Sequence, residues 1–172
     1  AVRGDFDLFF VALGGKSRRL ARPDPRRPIV LVFGPDLGLV RERTDALLRA
    51  SSSDDTDPFS TVTIDGDVLA SDPGRLADEA RTIGLFGGRR LVHVRAGSRN
   101  FGEALQGLLT DPPKDALVVI EAGDLRKGAP LRKLTESSPH AAAVACYADS
   151  ERDVARLVDQ TLREAGITID AD

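Results

Sequence analysis

The sequence contains no tryptophan and no methionine, one tyrosine, and aromatic residues at only 5% of its 172 positions. Its core must be built from aliphatic side chains, and few aromatics remain on which nucleic-acid bases could stack. The single cysteine, Cys146, excludes an internal disulfide and fits a reducing compartment; between Ala145 and Tyr147 it reads as a buried packing residue on a strand. Only two histidines occur, His93 within an apolar run and His140 after Pro139. Their spacing makes neither a metal site nor a Ser/His/Asp or Cys/His constellation. No G-x-S-x-G elbow is present. Long hydrophobic runs are missing too: Leu8–Leu13 and Ile29–Phe33 fall far short of the roughly 18 residues of a membrane span, and no signal-peptide pattern precedes them. The expectation is a cytoplasmic protein without a membrane partner. Positive charge is not in surplus either, because the formal net charge is −3. Any grip on nucleic acid must come from local basic clusters.

What is present is ordinary for a globular chain, with 41% hydrophobic and 30% charged residues. A chain of this length buries roughly 70% of the surface it exposes when unfolded. Strand-like apolar runs recur at Ile29–Phe33, Val62–Ile64, Leu91–Val94, Leu117–Ile120 and Ala143–Tyr147. Between them stand helical patterns marked by Leu39, Leu47 and Leu48, by Leu76, Ala80 and Ile83, by Leu105, Leu108 and Leu109, and by Leu131 and Leu134. Aliphatic strands alternating with amphipathic helices predict a three-layer, doubly wound α/β domain on a parallel five-stranded sheet, since parallel neighbours need crossovers that cover both faces. Linkers fall at Arg22–Pro25, at the serine and aspartate stretch 51–55, which reads as a surface loop, and at Asp111–Pro113. Beyond the fifth strand, Ser150 and Asp153 have capping-box spacing and Val154, Leu157, Val158 and Leu162 follow at helical spacing up to Gly166. The expected division is residues 1–148 as the sheet domain and 149–172 as the first helix of a further, truncated domain.

The segment Gly34–Arg41 follows the first strand and opens a helix, the place of a phosphate-binding P-loop. Such a loop needs a second glycine, a lysine for the terminal phosphates and a hydroxyl for magnesium. Counted from Gly34, those places hold Leu39, Val40 and Arg41, and Gly38 falls one position early. A leucine and a valine supply neither cation nor ligand, and Arg41 puts positive charge where magnesium would bind. The dinucleotide pattern fails as well, because Asp36 stands at its second glycine; Asp65 and Asp67, which could imitate a ribose acceptor, read as turn residues. The third strand ends Val94-Arg95-Ala96-Gly97 without an acid, and Glu121 and Asp124 after the fourth read as surface or turn residues. The expectation is a P-loop-like frame with no working nucleotide site, no cofactor, no metal and no catalysis of its own.

Three motifs in order carry a family resemblance: Leu31-Val32-Phe33-Gly34-Pro35-Asp36 with Val40-Arg41-Glu42-Arg43, then Ile83–Val92, then Leu117–Gly123. From about Pro28 onward the chain resembles the delta subunit of bacterial DNA polymerase III clamp loaders, an AAA+-like module; residues 1–27 resemble nothing that can be aligned. The resemblance implies a subunit that binds no ATP, binds and opens the ring-shaped sliding clamp (beta subunit) during DNA replication, and works beside gamma/tau and delta-prime subunits on primed DNA within the polymerase holoenzyme. It also assigns a clamp contact to Leu85 and Phe86, within Leu-Phe-Gly-x-Arg-Arg-Leu. By residue type alone these two read as core residues beneath the helix end, although Gly84, Gly87 and Gly88 would let them project; it is the resemblance that turns them outward.

Two basic clusters remain. Lys16, Arg18, Arg19, Arg22, Arg26 and Arg27 form one, and Arg126, Lys127, Arg132 and Lys133 form the other. Either reads as a solvated face and either could touch DNA phosphates, the second being the candidate set for contacts to primed DNA. Two other function classes compete with the clamp-binding module: a nucleotide-binding AAA+ ATPase with an atypical P-loop, and a Rossmann-like domain for a small molecule.

Overall fold

A computed structural model describes residues 24–52, 61–83, 88–97 and 99–147. Their elements run β1 (Ile29–Phe33), α1 (Leu37–Ser51), β2 (Thr61–Asp65), α2 (Gly66–Ser71), α3 (Arg75–Arg81), β3 (Arg90–Arg95), α4 (Gly102–Thr110), β4 (Ala116–Ala122), α5 (Pro130–Ser137) and β5 (Ala141–Ala145). The five strands form one sheet in the order β2-β3-β4-β1-β5, with every pair parallel. β1 lies between β4 and β5, opposing Leu31 to Ile120 on one side and to Ala143 on the other. β1 is fully buried, and β4 is buried except for Glu121. Such strands must be aliphatic on both faces, which is why these two read most plainly in the sequence.

The two faces are covered unequally. From β1 the chain crosses to β2 at the far edge, then steps back through β3 and β4 and past β1 to β5. Right-handed crossovers in opposite directions must lie on opposite faces. Accordingly, among the described helices only α1 packs against Val30, Val32, Leu117, Val119 and Val144, through Val40 and Leu47. On the other face Leu69, Leu76, Leu105, Leu108 and Leu131 of α2 to α5 meet Leu31, Val92, Val94, Val118 and Ile120. Each fully buried aliphatic side chain contributes roughly 1.5–3 kcal/mol, so these two layers dominate the stability of the described fold.

Several expectations need correction. The last strand is Ala141–Ala145, two residues earlier than the run Ala143–Tyr147; Tyr147 is exposed, while Cys146 stays buried and its N–H extends the pairing to the Phe33 carbonyl at 2.7 Å. Ile83 does not belong to the core stripe of the second helix, because α3 ends at Arg81 and Ile83 is 88% exposed. The edge strand β2 is not covered on both faces by the described residues: Thr61, Thr63 and Asp65 are exposed on one of them. A short helix, α2, follows β2 directly where a turn was read. The helix over 149–172, most of the serine and aspartate loop, and Lys16, Arg18, Arg19 and Arg22 lie outside the described residues. Among the described residues no helix is long and apolar enough to cross a membrane.

Val40, Thr44 and Leu47 share the face of α1 that lies on the sheet, and the Thr44 hydroxyl is buried without a hydrogen-bond partner. An unsatisfied buried hydroxyl costs about 1–3 kcal/mol. Thr44→Val should therefore stabilise the protein by about 1 kcal/mol, raising its melting temperature by roughly 2–4 °C in thermal denaturation.

Candidate functional site

In a doubly wound sheet the ligand crevice opens beyond the C-terminal ends of the strands, where neighbouring strands send their connections to opposite faces. Here that point lies between β1, which leads to α1, and β4, which leads to α5. The corner is closed. Only Gly34, Pro35 and Asp36 separate β1 from α1. The Gly34 N–H donates to the Gly123 carbonyl at 3.1 Å, which bridges the two loops, and Pro35 has no N–H to offer. Asp36 caps the helix: its Oδ1 accepts from the Leu39 N–H at 3.0 Å and its carbonyl accepts from the Val40 N–H at 2.9 Å. A carboxylate thus sits where the helix N-terminus would attract a phosphate, and repels a second anion. Gly34 is needed for another reason, since a Cβ there would collide with the backbone of Cys146.

The other degenerate positions follow from the early start of the helix. Gly38 and Arg41 are exposed on its first turns, Leu39 is half-buried, and Val40, at the counted lysine position, is 1% exposed in the core below α1. What remains of the crevice is an open cleft of about 150 Å³ lined by Leu37, Val40, Arg95, Ala96, Glu121 and Gly123. Ligand sites for molecules of nucleotide size commonly measure about 300–1,000 Å³.

The acids around the cleft have partners. Glu121 is not a turn residue: it is half-buried within β4, and its Oε2 lies 2.8 Å from His93 Nε2 on β3. Asp65 and Asp67 are ion-paired to Arg95 at 2.9 Å and Arg99 at 2.6 Å rather than free in a turn. Asp124 is exposed, as is His140, whose N–H donates to Ser138 Oγ. Among the described residues no group of three or more His, Cys, Asp or Glu could hold a metal ion. Burial pushes the Cys146 thiol above its ordinary value, opposed in part by Arg43, whose guanidinium also donates to the Ala145 carbonyl at 2.9 Å.

Arg126, Lys127 and Lys133 are exposed beyond β4 and on α5, but Arg132 is largely covered. Its guanidinium pairs with Glu136 at 2.7 Å, donates to the Leu125 carbonyl at 2.9 Å and lies 4.8 Å from the centre of the Phe33 ring. The hydrogen bond to Glu136 is the main reason its pKa rises. Arg132 therefore holds the C-terminal ends of β1 and β4 to α5. Of the N-terminal cluster, Arg26 pairs with Asp24 at 3.1 Å and pulls that carboxyl below its ordinary value.

At the opposite, N-terminal end of the sheet a groove of about 890 Å³ is lined by residues that include Pro25, Ile83, Gly88, Arg89, Pro112 and Lys114. Leu85 and Phe86 lie outside the described residues, between two of these lining residues. The flanks are held by charge. Arg90 pairs with Glu79 of α3 at 2.9 Å, Arg81 pairs with Asp111 at 2.7 Å, and Arg89 reaches the Ala116 carbonyl at 3.4 Å with its pKa lowered chiefly by desolvation. Sequence reasoning missed two of these arrangements. Asp before a helix is a capping signal that could have exposed the closed corner. No local pattern marks a pair eleven residues apart such as Glu79 and Arg90.

Parallel order β2-β3-β4-β1-β5 with a phosphate corner filled by its own residues defines an AAA+-like α/β domain. Residues 31–146 match the family model "DNA polymerase III, delta subunit". The chain belongs to that family. Among solved structures it resembles the Bacillus subtilis DNA clamp loader delta protein (TM-score 0.61, 18% identity, 84% of this chain and 45% of that one). It also resembles a Thermotoga maritima protein related to the DNA polymerase III gamma subunit (TM-score 0.53, 19% identity, 81% and 48%). At these identities the likeness is one of fold, and the chain spans about half the length of each. No curated protein matches the sequence.

The lysine of a P-loop cannot be restored by counting. Val40→Lys with Arg41→Thr would place an ammonium in the core beneath α1, so we expect a stability loss of about 3 kcal/mol or more in chemical denaturation and no gain of ATP binding by titration calorimetry.

Proposed function

We propose that the chain is the clamp-binding part of a clamp-loader delta subunit, which binds and opens the sliding clamp during DNA replication without binding ATP itself. The observation that carries this reading is the closed corner. In a family frame otherwise suited to nucleotide, Asp36 occupies the helix N-terminus and Gly34 is tied to Gly123, so an anion meets a carboxylate where it would need free N–H donors. A subunit of this kind contributes surfaces, and its ATP-driven control comes from its neighbours, the gamma/tau and delta-prime subunits. Residues 1–148 are the AAA+-like domain and 149–172 the first helix of a lid domain, in a protein working in the cytoplasm. Leu85 and Phe86 are the clamp contact, and the exposed Ile83, two residues before Leu85 in the sequence, lines an 890 Å³ groove of the partly apolar kind that such a contact uses. Arg126, Lys127 and Lys133 are the candidates for DNA phosphates, with Arg132 holding the surface that presents them.

An ATPase with an atypical P-loop is the competing reading, and nucleotide titration separates the two. The full-length subunit should give no saturable binding of ATP with magnesium; a dissociation constant tighter than about 100 μM would overturn the inert reading. The clamp contact is tested by Leu85→Ala with Phe86→Ala in that subunit. Burying both side chains contributes roughly 1.5–3 kcal/mol each, so affinity for the sliding clamp of the same organism should fall several hundredfold while the melting temperature barely moves. A stability loss of about 4 kcal/mol or more would instead assign both residues to the core.

A further inference from the structure

The groove at the N-terminal end of the sheet is walled by the end of α3 with Thr82 and Ile83, by the start of β3, by the loop before β4 and by Pro25. Arg81 of α3 pairs with Asp111 of that loop at 2.7 Å, and Pro25, Pro112 and Pro113 each carry a fixed φ, so the walls are held without a ligand. Its cations are of two kinds. Arg81 is matched by Asp111, whereas Arg89 and Lys114 form no ion pair among the described residues. The register of β3 on β4, with Arg90 opposite Ala116, sets Arg89 and Lys114 close together before the starts of these neighbouring strands. Lys114 is exposed. Arg89 is half-buried and its guanidinium reaches only the Ala116 carbonyl, at 3.4 Å; desolvation lowers its pKa, opposed in part by Asp115. A guanidinium drawn out of water without a matching acid is destabilising, and a carboxylate brought by a partner recovers that loss.

Nucleic acid fits the groove poorly. Binding to a phosphate backbone grows with each phosphate met by a cation, and here Asp111 and Asp115 stand among the cations beside apolar walls. An acidic protein segment with aliphatic neighbours matches it better, with carboxylates for Arg89 and Lys114 and apolar side chains for the exposed Ile83 and the prolines. We propose that this groove is a second clamp-binding surface, which takes an acidic segment of the sliding clamp with its carboxylates on Arg89 and Lys114 and an aliphatic side chain against Ile83. The inference rests on the reading above that the clamp is the partner, and not on the contact at Leu85 and Phe86. Walls fixed beforehand lose little freedom on binding, and charges at an open groove make the contact sensitive to salt.

The test measures affinity of the full-length subunit for the sliding clamp of the same organism at about 0.1 M and about 1 M salt, between which the screening length falls from about 10 Å to about 3 Å. Lys114→Glu, on an exposed side chain away from the core, should weaken binding roughly tenfold at the lower salt and little at the higher. Arg89→Met should weaken it by a similar factor without lowering the melting temperature, since it removes a half-buried cation that has no acid partner. Arg41→Gln, which removes an exposed positive charge near the start of α1 at the other end of the sheet, should leave affinity within about twofold. Unchanged clamp affinity in Lys114→Glu, a loss equal at both salt concentrations, or an equal loss in Arg41→Gln would overturn the groove contact. If Lys114→Glu weakens binding of primed DNA and spares the clamp, the groove belongs to phosphates and the proposal fails. A subunit that does not bind the clamp at all overturns the clamp reading and the groove contact with it. Loss of binding in Leu85→Ala, Phe86→Ala with none in Lys114→Glu overturns the groove contact alone.

Discussion

A strand can be joined to a parallel neighbour only by a crossover of one hand, and in this chain that constraint arranges nearly everything else. With β1 inside the sheet and β2 at its edge, the first crossover runs one way and the later ones run back. Among the described residues one helix therefore covers one face and four the other, which is the division seen between the two apolar layers. The same reversal creates a crevice beyond β1 and β4, and every scaffold of this winding presents one.

Here it is finished with the chain's own groups. Three N–H donors of the β1–α1 corner are spent internally: Gly34 on Gly123, and Leu39 and Val40 on Asp36. The carboxylate of Asp36 lies where an incoming phosphate would lie, so it opposes a further anion at the helix terminus. On the far side of the corner Arg132 ties Phe33, Leu125 and Glu136 together, while Arg43 holds the end of β5. The C-terminal end of the sheet is thus a braced junction. The N-terminal end, where α3 passes into β3, carries the exposed Ile83 and the wide groove.

The legibility of the sequence follows burial. β1 and β4, whose residues are almost all covered on both faces, could be read directly from Ile29–Phe33 and Leu117–Ile120. β5 was displaced by two residues because Ala141 and Ala142 carry no strand signature of their own, whereas Cys146 and Tyr147 do; its place comes from pairing with β1. Ile83 continues a helical spacing that the chain abandons at Arg81, so periodicity promised burial where the backbone gave exposure. Glu121 and Asp65 looked like turn acids because their partners, His93 and Arg95, stand about thirty residues away and meet them only across neighbouring strands.

By itself the sequence determined the number and type of the described strands and the aliphatic character of the core, since both depend on residue type over short stretches. Tertiary structure alone decided the order β2-β3-β4-β1-β5, the face each helix covers, the burial of Val40, and the pairing of Glu79 with Arg90. Those outcomes depend on handed crossovers and on side chains meeting across the sheet, and neither leaves a mark on any one stretch of sequence.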